Sequence, residues 1–105
     1  MSEAEAKFSI GQLVHHVKLD YRGVVFDVDA TFDGDDEWYE QVARSRPPKD
    51  KPWYHVLPDD ENHATYVAEQ HLAADITGEP IRHPALADFF LALQKGRYPP
   101  KNLAS

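Results

Sequence analysis

A mainly β fold is what this 105-residue sequence predicts: a small, strongly bent antiparallel sheet or SH3-like barrel, with a short helical insert and a C-terminal helix. Three observations predict it. GVVFDVDATF (Gly23–Phe32) alternates at period two from Val24 onward, with β-branched residues on both faces. WYHVL (Trp53–Leu57) and HATYVA (His63–Ala68) flank PDDEN, whose residues favour a turn, so the two segments form a hairpin. Only four or five short strands can be drawn, too few for a sandwich, and the βαβ rhythm of a parallel sheet is missing.

Taken in order, residues 1–6 form a tail, and strand character starts at Phe8. QLVHHVK (Gln12–Lys18) is short and β-branched at Val14 and Val17. LDYRG then supplies a turn through Asp20 and Gly23. In the next strand Val24, Phe26, Val28 and Ala30 share one face, and Val25, Asp27, Asp29 and Thr31 share the other. Val25 on the polar side implies that part of that side is covered as well. Asp35–Ala43 is expected to be a short helix, with acids in its first turn, Arg44 and Arg46 at its end, and Pro47 and Pro48 stopping it. After the hairpin, Glu69–Leu72 adds a last short strand or turn. A C-terminal helix is expected over 84–96: in ALADFFLALQK, Leu86, Phe89, Phe90 and Leu93 fall at helical spacing, and Gly96 stands where a cap belongs. RYPPKNLAS reads as an extended, mobile tail. The whole is a single domain, with its β core over about 8–72.

Charge narrows the partners. The net charge is −7, and seven acids fall within DVDATFDGDDEWYE (residues 27–40) without a base among them. The remainder is balanced, which opposes a strong electrostatic grip on DNA. A small basic patch, Arg44, Arg46, Lys49 and Lys51, follows directly. There is no cysteine, hence no disulfide, thiolate chemistry or cysteine-based zinc site. The polar, acidic start of the chain does not read as a signal peptide, and no apolar run approaches a membrane span. A cytoplasmic location is the expectation.

Motifs for chemistry are sparse. His15 and His16 are neighbours in a strand and point to opposite faces. His55 and His63 lie on consecutive strands and could face each other. No HExxH or dense His/Asp repeat demands a metal, so neither a metal nor another cofactor is expected. The serines lack a triad setting, and the five glycines form no phosphate loop. Asp27 and Asp29 share a strand face about 7 Å apart, but as a solvated acidic face rather than a catalytic pair. An enzyme is not expected. Trp53, Tyr54 and Tyr66 suggest a stacking platform for bases, although period two sends Trp53 and Tyr54 to opposite faces, so that at most one of them stacks.

Several ordered blocks carry a resemblance. Phe8, Ile10, Gly11, Val14 and His16 form the first; Tyr21, Gly23, Val24, Val25, Asp27 and Asp29 the second. Pro52, Trp53, Tyr54, His55 and Val56 make up the third, and Thr65, Tyr66, Ala68, Glu69 and Leu72 the fourth. Over about Lys7–Leu72 the chain resembles the heat shock protein HspQ family, also called YccV-like or hemimethylated DNA-binding domain. The resemblance implies an SH3-like barrel and a small cytoplasmic regulator. It implies two activities: binding hemimethylated DNA, with effects on replication-initiation control, and assisting the Lon protease with selected substrates. Because the chain is acidic, a protein partner (Lon and its substrates) is the leading expectation and hemimethylated DNA the alternative. The candidate contact residues are Asp27, Asp29, Asp35, Asp36, Glu37, Arg44, Arg46, His55 and Tyr66. Exposed sheet edges leave self-association open.

Overall fold

The computed structural model describes residues 6–42 and 46–101. Five strands form one antiparallel sheet: β1 (Leu13–His16), β2 (Tyr21–Asp29), β3 (Trp53–Pro58), β4 (Thr65–Ala68) and β5 (Leu72–Ala74). Their order is β4-β3-β2-β1-β5, so the hydrogen-bonded ladder is open and does not close into a barrel. The sheet is nevertheless strongly curled. β4 and β5 lie at opposite edges, yet only the 3-10 turn Glu69–His71 separates them. Four Cα steps span at most about 15 Å, whereas the outer strands of a flat five-stranded sheet would be about 19 Å apart.

The turn between β1 and β2 uses Asp20, whose φ is 58°, as its left-handed residue. Tyr21, Arg22 and Gly23, expected in that turn, belong instead to β2. The hairpin joining β3 and β4 forms as predicted, although β3 runs through Pro58 and β4 starts only at Thr65. Asp59 and Asp60 in its loop are held by Arg22 and Arg82.

Alternation in β2 does not run unbroken. Val25 pairs with Val56, but Asp27, not Phe26, pairs with His55. A bulge at this point shifts the face of every later residue. Val28 therefore packs with Val25 and Tyr54, not with Val24 and Phe26 as strict period two had it. The inner face buries Phe8, Val14, Val25, Tyr54, Val56, Val67 and Leu72.

Two separate covers shield the outer face. At one end Leu13, Val24 and Leu57 lie beneath Ile81, Phe90 and Tyr98. At the other, Trp53 and Ala68 lie beneath the helical insert, with Tyr39, Phe32 and Trp38. That insert is α1 (Asp36–Val42), close to the expected span; Ala43 lies outside the described residues. Asp35 caps it, accepting the Trp38 N–H at 2.7 Å. Trp53 Nε1 donates to Pro48 O (3.1 Å) and Tyr39 Oη to Pro47 O (2.6 Å), which pins the proline-rich loop. Trp53 and Tyr54 do take opposite faces, but both are buried, because the insert covers the outer one. Neither is a free stacking surface.

The expected helix over 84–96 is one turn, α2 (Leu86–Phe89). Phe90 leaves it in extended conformation and bridges to Pro100. Gln94 and Arg97 pair around Lys95 and Gly96, both at positive φ (51° and 79°), the signature of a two-residue hairpin turn. Gly96 is thus a hairpin residue, not a helix cap. Helical spacing of Leu86, Phe89, Phe90 and Leu93 is outweighed by burial of Phe90 and Tyr98 against the sheet. The segment read as a mobile tail is docked as far as Lys101: Tyr98 N–H donates to Gly11 O and Tyr98 Oη accepts the Ile81 N–H.

Candidate partner-binding groove

A groove of about 950 Å³ runs along β4, which is an edge strand among the described residues, and all four residues of that strand line it. An edge strand carries backbone N–H and C=O groups without a ladder partner, so it is a template for another extended chain. Trp38, Trp53, Tyr66 and His55 form one wall. The wall is a stack: Tyr66 lies 5.2 Å from Trp53, 6.0 Å from Trp38 and 4.5 Å from His55, centroid to centroid. His16, Lys18, Leu19, Tyr21 and His71 also line it, as do Asp33 and Asp35. Leu19 stands 71% exposed at the tip of the β1–β2 turn.

Of the predicted contact residues, the structure gathers Asp29, His55 and Tyr66. Asp29 Oδ2 accepts from Tyr66 Oη (2.6 Å) and is 3.0 Å from His55 Nε2. Tyr66 Oη also accepts the Asp33 N–H, tying the start of the acidic segment to β4. Burial raises the carboxyl pKa of Asp29, but the hydrogen bonds from Tyr66 and His55 prevail and hold it below its ordinary value. Burial, and then the bond to Asp29, push the Tyr66 phenol far up, so it stays protonated and donates. Asp27 is the direct cross-strand partner of His55 and is exposed. His55 and His63 do not face each other: His55 is opposite Tyr66.

The acidic and basic segments largely answer one another. Asp36 pairs with Lys49 at 3.0 Å and Glu40 with Arg46 at 2.8 Å. Lys49 Nζ also sits 4.3 Å from the Tyr39 ring centroid. Asp35 serves as the helix cap, and Glu37 is exposed. Arg44 lies outside the described residues.

Sequence reasoning missed Trp38, Lys18, Leu19, His16 and His71 as groove residues. Two signals were available: an apolar Leu19 in a turn, and a tryptophan inside a run of acids. His16 is buried, and its Nδ1 accepts the N–H groups of Lys18 (3.2 Å) and Leu19 (3.0 Å), which shapes the groove wall. This places the ring proton on Nε2. His71 lies 5.6 Å away, ring to ring. Burial, and then repulsion from His71, lower the His16 pKa below 6.5. Burial, then Lys18, do the same for His71.

The sign follows from linkage. The unfolded chain takes up the His16 proton first, so this contribution to stability is complete above about pH 6.5 and is lost as pH falls through the lowered folded value. The melting temperature should fall between pH 7 and pH 5. The fall should shrink in a His16→Asn variant, whose amide oxygen retains an acceptor near Nδ1. Equal pH slopes in the two proteins would refute the assignment to His16.

The family model described as Hemimethylated DNA-binding protein YccV like matches residues 6–97. The match covers most of the chain, as far as Arg97 at the turn of the C-terminal hairpin, and the chain belongs to that family.

Proposed function

From this family membership and the open edge of β4, we propose that the chain is a small cytoplasmic heat-shock regulator without catalytic activity of its own. It acts by binding a protein partner, and it modulates proteolysis as an adaptor or specificity factor for the Lon protease. We read the curled sheet as an SH3-like barrel left open between β4 and β5, with the groove along that opening. The observation that carries the reading is the position of a strand edge, unpaired among the described residues, beside an aromatic wall and an exposed Leu19. An extended peptide can add a strand to such an edge and seat alternate side chains against the wall. Charge agrees with it: Arg46 and Lys49, two of the four cations of the basic loop, are engaged by Glu40 and Asp36, which reduces what those two offer to phosphates.

Purified Lon should degrade some substrates faster when this protein is added. Leu19→Asp should abolish that acceleration while changing stability by no more than about 0.5 kcal/mol, because the side chain is mostly exposed. An unchanged degradation rate across a broad substrate panel, or full activity in Leu19→Asp, would count decisively against this reading.

The family description favours a second reading, recognition of hemimethylated DNA. It predicts a gel shift with hemimethylated duplex that weakens steeply with salt and on changing Arg44 and Arg46 to Ala. Phosphate contacts dominate at low salt, so the absence of a shift at about 50 mM salt would exclude it.

A further inference from the structure

We propose that Asp27, Asp29 and His55 form a binding site for one divalent first-row metal ion, of the zinc or manganese type, on the outer face of the sheet. The site lies between the two covers. The insert shields the Trp53 end of this face and the C-terminal segment shields the Leu57 end. Between them the bulge in β2 turns Asp27 and Asp29, which share a face, onto the outer side, with Asp27 directly opposite His55. One donor atom from each of the three residues lies within 4.8 Å of the others.

The donor set is what distinguishes this cluster from a solvated acidic face. It combines an imidazole nitrogen with two carboxylates, and it is drawn from two adjacent strands of a rigid sheet. Zinc takes both imidazole nitrogen and carboxylate oxygen ligands, so the mixed set fits it, and the two carboxylates also suit manganese. Bonds of about 2.0–2.2 Å in tetrahedral geometry put donors roughly 3.4 Å apart, so a pair near the 4.8 Å limit must close by about 1 Å or more. Asp27 can supply that movement, because its side chain is exposed. His55 Nε2 is already directed at Asp29 (3.0 Å), and its ring is fixed by Phe26 on one side and Tyr66 on the other. In the structure Nε2 donates to Asp29; on binding, His55 would give up that hydrogen bond, carry its proton on Nδ1 and present the Nε2 lone pair to the ion. Tyr66 Oη donates to Asp29 Oδ2 at 2.6 Å, leaving Oδ1 for the ion. Tyr66 is therefore a positioning residue, of the kind that orients a metal-bound carboxylate.

Such an ion would tie β2 to β3 beside the groove wall formed by His55 and Tyr66. It would also reduce the negative charge at that wall. The site stands independently of the Lon and DNA readings, since its test needs neither partner.

The test is calorimetric titration of the metal-free full chain with zinc chloride alone, repeated with manganese chloride. One saturable site per chain is expected. Asp27→Asn should weaken binding at least tenfold without altering the melting temperature of the metal-free protein. His55→Ala should remove the site, Tyr66→Phe should weaken it several-fold, and His63→Ala, which changes an exposed histidine elsewhere, should leave it intact. If His55→Ala fails to fold, Asp27→Asn decides alone. Failure to saturate at millimolar metal, or equal affinity in wild type and Asp27→Asn, would overturn the proposal and assign any bound zinc to the other histidines.

Discussion

Gly11→Val is expected to be the most damaging single substitution in this chain, lowering stability by at least about 3 kcal/mol. Gly11 has φ of 92°, a conformation that side chains rarely adopt. Its missing side chain also leaves room for another segment. A Cβ there would penetrate the Tyr98 carbonyl, a backbone group that cannot rotate aside. The same residue donates its N–H to Val25 O (2.8 Å) and accepts the Tyr98 N–H (2.9 Å), so it joins β2 to the C-terminal hairpin. Displacing Tyr98 would uncover Leu13, Val24 and Leu57. At roughly 4–8 °C per kcal/mol for a domain near this size, the melting temperature should fall by more than about 10 °C. Gly78→Ala is the natural control: its φ is 69° but open space surrounds it, so only the backbone cost of about 1 kcal/mol applies. Thermal melts of the two variants should differ widely, and equal losses would show that the packing against Tyr98 is not what matters.

Trp53→Ala should cost about 3–5 kcal/mol, a large share of the roughly 5–15 kcal/mol available to a domain. Trp53 is 2% exposed and underlies the whole insert. Its ring is 4.9 Å from Phe32 and 5.2 Å from Tyr66, and its indole N–H holds Pro48. α1 has only seven residues, too few to be stable without such packing. Urea denaturation should show the loss, and the far-ultraviolet helical signal should drop in the variant even where the sheet survives. A cost under about 1 kcal/mol would mean that the insert is held by its Asp36–Lys49 and Glu40–Arg46 pairs instead. Exposed pairs of that kind contribute little in general.

These two residues show how differently the two ends of the chain could be read. Trp53 sits in a strand that period two and the family blocks both identify. Gly11 belongs to the first block, yet its partner Tyr98 lies in a segment that looked like a loose tail. Within ALADFFLALQK the apolar spacing fits a helix, but Phe90 and Tyr98 gain more by closing over Leu13, Val24 and Leu57. Local periodicity carries no information about that uncovered sheet face. The acidic stretch Asp27–Glu40 and the basic loop after it meet for a related reason. Asp36 with Lys49, and Glu40 with Arg46, are brought together by the fold of the insert.

By itself the sequence determined the β class, the β3–β4 hairpin, the short helical insert and the family. Each depends on residues near one another along the chain: backbone alternation, turn residues in PDDEN, acids at the start of the insert and prolines after it. Tertiary structure alone decided the curl that leaves β4 free beside a groove, the docking of the C-terminal hairpin, and the meeting of Asp27, Asp29 and His55. A single bulge near Phe26 reverses the faces of the residues beyond it. Whether a bulge forms is settled by which segments pack on each side of the sheet, and that competition is absent from any short stretch of sequence.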